Sequence, residues 1–311
     1  MTGRSLALVL LPCLLWPAAL SGQPEPSEKV TVTGTKSREA LHDFVNSFAA
    51  PTKLIGKIAR WEDGVCPLTV GLRPEATKFI TKRVREVAAL AGAPVNADKA
   101  CAPNIEILFS THPQTLLDNI REKYPQFLGY YDNSAQAEEL AKVTRPIQAW
   151  YMTGTKDLQG STVIDGKPVG PGVQFEGFGG AAHTFPNAHV AVVTGTRLGD
   201  GLRSTFYRVT IVVDPDRLVD YEIGALADYI SLLALAQLNG LDTCQQLPSI
   251  VNMLAKACDK KTDALTQNDI GYLKGLYKMS PDKFLGVQRD QVAYQMEQNL
   301  TTAQEPVSDK K

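Results

Sequence analysis

The sequence is short of the residues and motifs on which most hydrolytic, redox and phosphoryl chemistry rests. It has four histidines, and none lies after His189. No H-E-x-x-H, G-x-S-x-G, Walker-type glycine loop or C-x-x-C segment occurs. That excludes the paired-histidine zinc helix, the nucleophile elbow, the phosphate cradle and the dithiol redox pair in their usual encoding. GFGG at Gly177 and the Gly-Lys pair at Gly166 are loop glycines without the strand-to-helix context that phosphate binding needs. The net charge is −1, so there is no basic surplus to draw the chain to nucleic acid or an anionic membrane surface. Apolar runs that could cross a bilayer are missing too, since a span needs about 20 consecutive apolar residues. The best candidate, residues 6–20, is interrupted by Pro12 and Pro17.

That run reads instead as the core of a signal peptide. MTGRSLALVLLPCLLWPAALSG places Arg4 ahead of it and the small residues Ala19 and Ser21 at its end, as cleavage requires. Residues 1–21 are expected to be removed, leaving a periplasmic or secreted product. Removal takes Cys13 away and leaves Cys66, Cys101, Cys244 and Cys258. An even count in an oxidising compartment points to two disulfides, with three pairings open. The local pattern selects one. CPLTVGL and CAPNIEILF read as strands, and PEATKFITKRVREVAALAG between them as a helix that starts at Pro74 and stops at Gly92. Such a crossover makes its two strands parallel, so Cys66 and Cys101, each just ahead of a strand, fall at the same end of the sheet and pair. Cys244 and Cys258 then bracket PSIVNMLAKA, read as a short helix.

The expected fold class is α+β: a mixed sheet with a strand-helix-strand unit, an antiparallel hairpin, a central buried helix and a helical C-terminal part. Residues 22–35 read as a flexible segment, 36–300 as a single globular domain, and 301–311 as a disordered tail. KSREALHDFVNSFAAP is an amphipathic helix with Leu41, Phe44, Val45 and Phe48 on one face. THPQTLLDNIREKYP reads as a helix, followed by a polar stretch around residues 132–142 and then IQAWYM as a strand. Residues 160–180 carry glycines and prolines in a density that reads as a long loop. HVAVVTGTRLGDGLRSTFYRVTIVVD reads as a hairpin turning at Gly199, Asp200 and Gly201, with Tyr207, Val209, Ile211 and Val213 on one face. LTQNDIGYLKGLYKM and DQVAYQMEQNL close the chain as helices.

Two features qualify as candidate sites. A three-residue turn would set Arg197 opposite Arg203, and two guanidiniums held together invite a carboxylate or phosphate, unless both simply point into water at the tip. GALADYISLLALAQL, residues 224–238, is apolar on all sides and should be buried, yet it carries Asp228, Tyr229 and Ser231. A buried carboxylate without a partner costs several kcal/mol, so Asp228 must meet backbone amides, a cation or a wet cleft. It either anchors a neighbouring loop or floors a groove, with Tyr229 and Ser231 near a ligand. His183 and His189 lack a third residue at ligand spacing, so no metal and no cofactor are expected.

RWEDGVCPLTVGL, CAPNIEILFSTHPQTLLDNI, AWYMTGT, GALADYISLLALAQ, LPSIVNML and LTQNDIGYLKGLYKM together resemble a family of uncharacterised exported proteobacterial proteins. The order of elements is more distantly similar to zincin-type metallopeptidase domains, in which the buried helix bears H-E-x-x-H. The corresponding helix here offers Asp228, Tyr229 and Leu232, and Leu232 cannot ligate. The resemblance therefore implies a degenerate, non-catalytic relative that binds a peptide or an envelope protein in the groove between hairpin and buried helix. The alternative is a metal-independent hydrolase using Asp228 with a second carboxylate nearby.

Overall fold

The computed structural model describes residues 34–98, 100–166, 174–176, 182–184, 190–192 and 199–304. The fold is α+β. Helix α1 (Gly34–Phe48) buries Leu41, Phe44, Val45 and Phe48, the face expected from their spacing. Strand β1 (Pro67–Val70), helix α2 (Pro74–Ala91) and strand β2 (Ile105–Phe109) form the strand-helix-strand unit, and β1 and β2 are parallel. Pro74 opens α2, and Gly92 closes it in the left-handed conformation at φ 82°, donating to Ala88 and Ala89. Cys66 and Cys101 are disulfide-bonded, with their Cα atoms 6.1 Å apart. Cys244 is bonded to Cys258.

Helices α3 (Pro113–Lys123) and α4 (Ser134–Leu140) follow, then the long strand β3 (Ile147–Lys156) and the short strand β4 (Thr162–Ile164). Strands β5 (Gln174–Glu176) and β6 (Ala182–Thr184) make a separate antiparallel pair. Strand β7 (Arg203–Val213) and helices α5 (Ile223–Leu235), α6 (Gln267–Lys278) and α7 (Leu285–Gln304) complete the order. The main sheet runs β1-β2-β7-β3-β4, parallel across β1, β2 and β7 and antiparallel across β7, β3 and β4. No described helix is long and apolar enough to cross a membrane.

The structure departs from the sequence expectations at several points. The hairpin is β3–β4, and the antiparallel neighbour of β7 is β3, which places Lys156 opposite Arg203. The other edge of β7 is taken by β2 and by Arg60, whose carbonyl accepts from Phe206 N–H at 3.0 Å. Residues 199–201 are no free tip: buried Lys57 pairs with Asp200 and donates to the Leu202 carbonyl at 2.5 Å. A Cβ on Gly199 would stand 2.3 Å from the Asp282 carbonyl oxygen. The polar stretch before β3 holds α4, because Asn133 caps it by accepting from Gln136 N–H at 3.0 Å. PSIVNMLAKA makes only a 3₁₀ turn at Ile250–Met253, since Asn252 and Asp269 engage its backbone and neighbouring chain instead of leaving an α-helix to form. The expected loop at residues 160–180 contains β4 and β5; its residues 167–173 and 177–180, and Arg197, lie outside the described residues.

Side chains alternate between two cores, as the period of a strand requires. Val209, Ile211 and Val213 face the main core, with α1, α2, α5 and α6; Val212, Leu108, Trp150 and Met152 face a smaller one with Leu117, Ile120 and Phe127. The alternation breaks at Tyr207, where the register shifts so that Met152 pairs Arg208 and Thr153 pairs Phe206. Phe206 thereby joins the main core, its ring 5.6 Å from Trp61 and 5.5 Å from Tyr151. Helix α5 is buried from Ala225 to Leu235. Each large aliphatic side chain it hides stabilises the fold by roughly 1.5–3 kcal/mol.

Candidate functional site

A helix buried to its last turn must find partners for its final carbonyls. Three aromatic side chains supply them. Tyr151 OH donates to Leu233 and Ala236 at 2.9 and 3.1 Å, the Trp61 indole to Ala234 at 2.8 Å, and Tyr277 OH to Leu235 at 2.9 Å. Burial raises the Tyr151 and Tyr277 phenol pKa values above the ordinary range, so both stay protonated as donors. The same aromatics line two clefts. A cleft of about 500 Å³ is bordered by Arg60, Trp61, Glu62, Arg203, Tyr277 and Asp282. A notch of about 190 Å³ is bordered by Lys53, Gly129, Trp150, Tyr151, Gln237 and Leu241.

The notch lies along the outer edge of β3. Asp214 N–H bonds to the Pro146 carbonyl on the β7 side, while Asp165 N–H bonds to the Thr153 carbonyl on the β4 side. Backbone groups alternate along a strand, so those of Ala149 and Tyr151 point away from β7. Strand β4 covers only Gly154, Thr155 and Lys156. Among the described residues no strand flanks β3 before Thr153 on that side. Gly129 closes the edge at one point, where a Cβ would stand 2.5 Å from the Tyr151 carbonyl oxygen. Ala149 lines the notch, and its backbone makes no hydrogen bond on that side among the described residues. Gln237 lines the same notch, and its buried side-chain Oε1 has no hydrogen-bond partner among the described residues.

The residues singled out in the sequence are placed as follows. Asp228 accepts from Arg83 Nε at 2.5 Å and from Leu265 N–H at 2.9 Å, which ties α5 to α2 and to the chain entering α6. Arg83 also pairs with Glu86 at 3.7 Å. Ser231 donates to the Ala227 carbonyl at 2.6 Å, inside its own helix. Tyr229 is buried, and desolvation raises its pKa. None of these three lines either cleft. Arg203 lines the larger one and is paired with Glu62 at 2.8 Å. The side chains of His183 and His189 lie outside the described residues. Among those described, the one His, Cys, Asp or Glu group close enough to hold a metal is Cys244, Cys258 and Asp259, and its two sulfurs are bonded to each other.

Sequence reasoning missed a polar cluster at the β3–β4 end of the sheet. Asp165 is buried and accepts from Thr153 Oγ1 and Thr155 Oγ1 at 2.6 and 2.7 Å. Desolvation raises its pKa, against the two hydroxyls that favour the carboxylate. The available signal was Thr-x-Thr in β3, which puts two hydroxyls on one face. No family model, curated protein or solved structure matches this chain.

Proposed function

We propose that the chain is an exported, non-catalytic binding protein that holds an extended peptide or a segment of an envelope protein in the notch between β3 and the chain leaving α5. The observation that carries this reading is the outer side of β3 at Ala149, which no described strand covers and which lines one notch with Gln237, whose buried Oε1 has no hydrogen-bond partner among the described residues. An extended segment laid along β3 would return one N–H and one C=O to Ala149 and could donate to Gln237, the chemistry of strand addition. The reading fits a degenerate metallopeptidase-like framework, in which a groove beside an edge strand outlives the metal. Export is supported by the leader-like first residues and by the two disulfides. The commitment of Asp228 to Arg83 and Leu265 favours binding over the carboxylate-hydrolase alternative.

The substitution Ala149→Pro tests it. Proline removes the outward N–H and leaves the ladder to β7 intact, a placement edge strands tolerate. With a seven-residue Val/Thr-rich peptide as probe, wild-type protein should bind and Ala149→Pro should not, at an unchanged thermal midpoint. Equal binding by both would rule the notch out.

A further inference from the structure

The larger cleft carries a second site, which shares no lining residue with the notch. Arg60 commits Nη1 to three carbonyls where α6 ends, Leu276, Tyr277 and Met279, at 3.4, 3.0 and 2.8 Å. It makes no ion pair among the described residues, and its Nε and Nη2 take no hydrogen bond there. Arg203 commits Nε to Glu62 and Nη1 to the Asp157 carbonyl at 2.7 Å, and its Nη2 has no hydrogen-bond partner among the described residues. Burial lowers the Arg60 pKa, Glu62 opposes that shift, and the charge of Arg203 adds to it. Both guanidiniums line one cleft, and each keeps N–H groups without a partner among the described residues, so a single carboxylate there could accept from both.

We infer that the cleft binds a carboxylate-bearing ligand with an apolar body, its carboxylate between Arg60 and Arg203 and its body against Trp61, Leu158 and Tyr277. The sequence pattern paired Arg203 with Arg197, which lies outside the described residues; Arg60 lines the same cleft as Arg203. Two features favour a monocarboxylate over phosphate. Glu62 and Asp282 line the same walls and would repel a dianion. The volume of about 500 Å³ lies within the roughly 300–1,000 Å³ of small-molecule clefts, larger than a bare phosphate needs.

The test is calorimetric titration of the full chain with N-acetylphenylalanine, with its amide, and with inorganic phosphate. The acid should bind at least about tenfold more tightly than the amide, and rising salt should weaken it. Arg203→Gln should weaken the acid about tenfold and leave the amide unchanged. If Arg203→Gln fails to fold, Arg203→Lys decides, since it keeps the charge and loses the planar fork; it should weaken the acid severalfold. Equal binding of acid and amide, no binding of the acid at millimolar concentration, or a folded Arg203 variant that binds the acid like wild type would overturn the proposal. Phosphate binding more tightly than the acid would overturn the carboxylate assignment.

Discussion

Arg83 and Asp228 join α2 to α5 by a 2.5 Å hydrogen-bonded ion pair at the surface of the main core. Asp228 also receives the Leu265 amide, so one carboxylate ties together three segments distant in sequence. Asp228→Asn should lower stability by about 1–3 kcal/mol in urea unfolding, below the roughly 3–5 kcal/mol of a fully buried pair because solvent screens the partly exposed Arg83. Peptide binding by the folded fraction should not change. A loss of binding at full stability would return Asp228 to the site.

The two disulfides should differ in worth. Cys66–Cys101 closes a separation of 35 residues and Cys244–Cys258 one of 14. In the chain-entropy account the longer loop stabilises more, roughly 4 against 3 kcal/mol. Paired Cys→Ala variants compared by denaturant midpoint check the order, and a larger loss from the shorter loop would contradict it.

Asp165 makes a pH-dependent contribution with a definite sign. Burial raises its pKa in the folded state, so the folded chain prefers the protonated acid. The stability it confers is complete below the ordinary carboxylate range and is lost as pH rises through the raised value. Asp165→Asn keeps a neutral partner for Thr153 and Thr155. Its stability relative to wild type should therefore increase from pH 4 to pH 7. A constant difference across that range would show that Asp165 titrates normally.

Glu106 and Arg208 form an ion pair at 2.6 Å with both side chains almost fully buried, the guanidinium 4.8 Å from the Phe127 ring centre. Removing one partner leaves a charge in a low-dielectric core, so Glu106→Leu should cost about 3–5 kcal/mol. The double variant Glu106→Leu, Arg208→Met should recover most of that loss. A double variant no better than Glu106→Leu would mean that the pair is not the main partner of either charge.

Local signals in the sequence reached far into the fold. Pro74 and Gly92 bound α2 because each acts through its own backbone geometry, and the crossover it forms is what brings Cys66 to Cys101. Partnership between distant segments was less legible. The alternation in β7 announces a strand but carries no information about its neighbour, and β3, ten residues long, runs beside it where the nearer segment had been expected. Asp228 had to have a partner, yet nothing in residues 224–238 identifies Arg83 as that partner. The capping of α5 by Trp61, Tyr151 and Tyr277 joins three positions spread over the chain, and single aromatic residues do not advertise which carbonyl they will meet. Of the expected site residues that are described, Arg203 alone lines one of the two clefts, which Arg60 also lines.

Residue-resolved amide exchange tests the open edge of β3 most directly. Without ligand, the Ala149 amide should exchange far faster than that of Trp150, whose backbone faces β7. Saturation with the Val/Thr-rich peptide should slow Ala149 by at least about tenfold and leave the β1–β2 amides unchanged. An Ala149 amide already protected in the free protein, or one that the bound peptide leaves unprotected, would contradict strand addition at this edge.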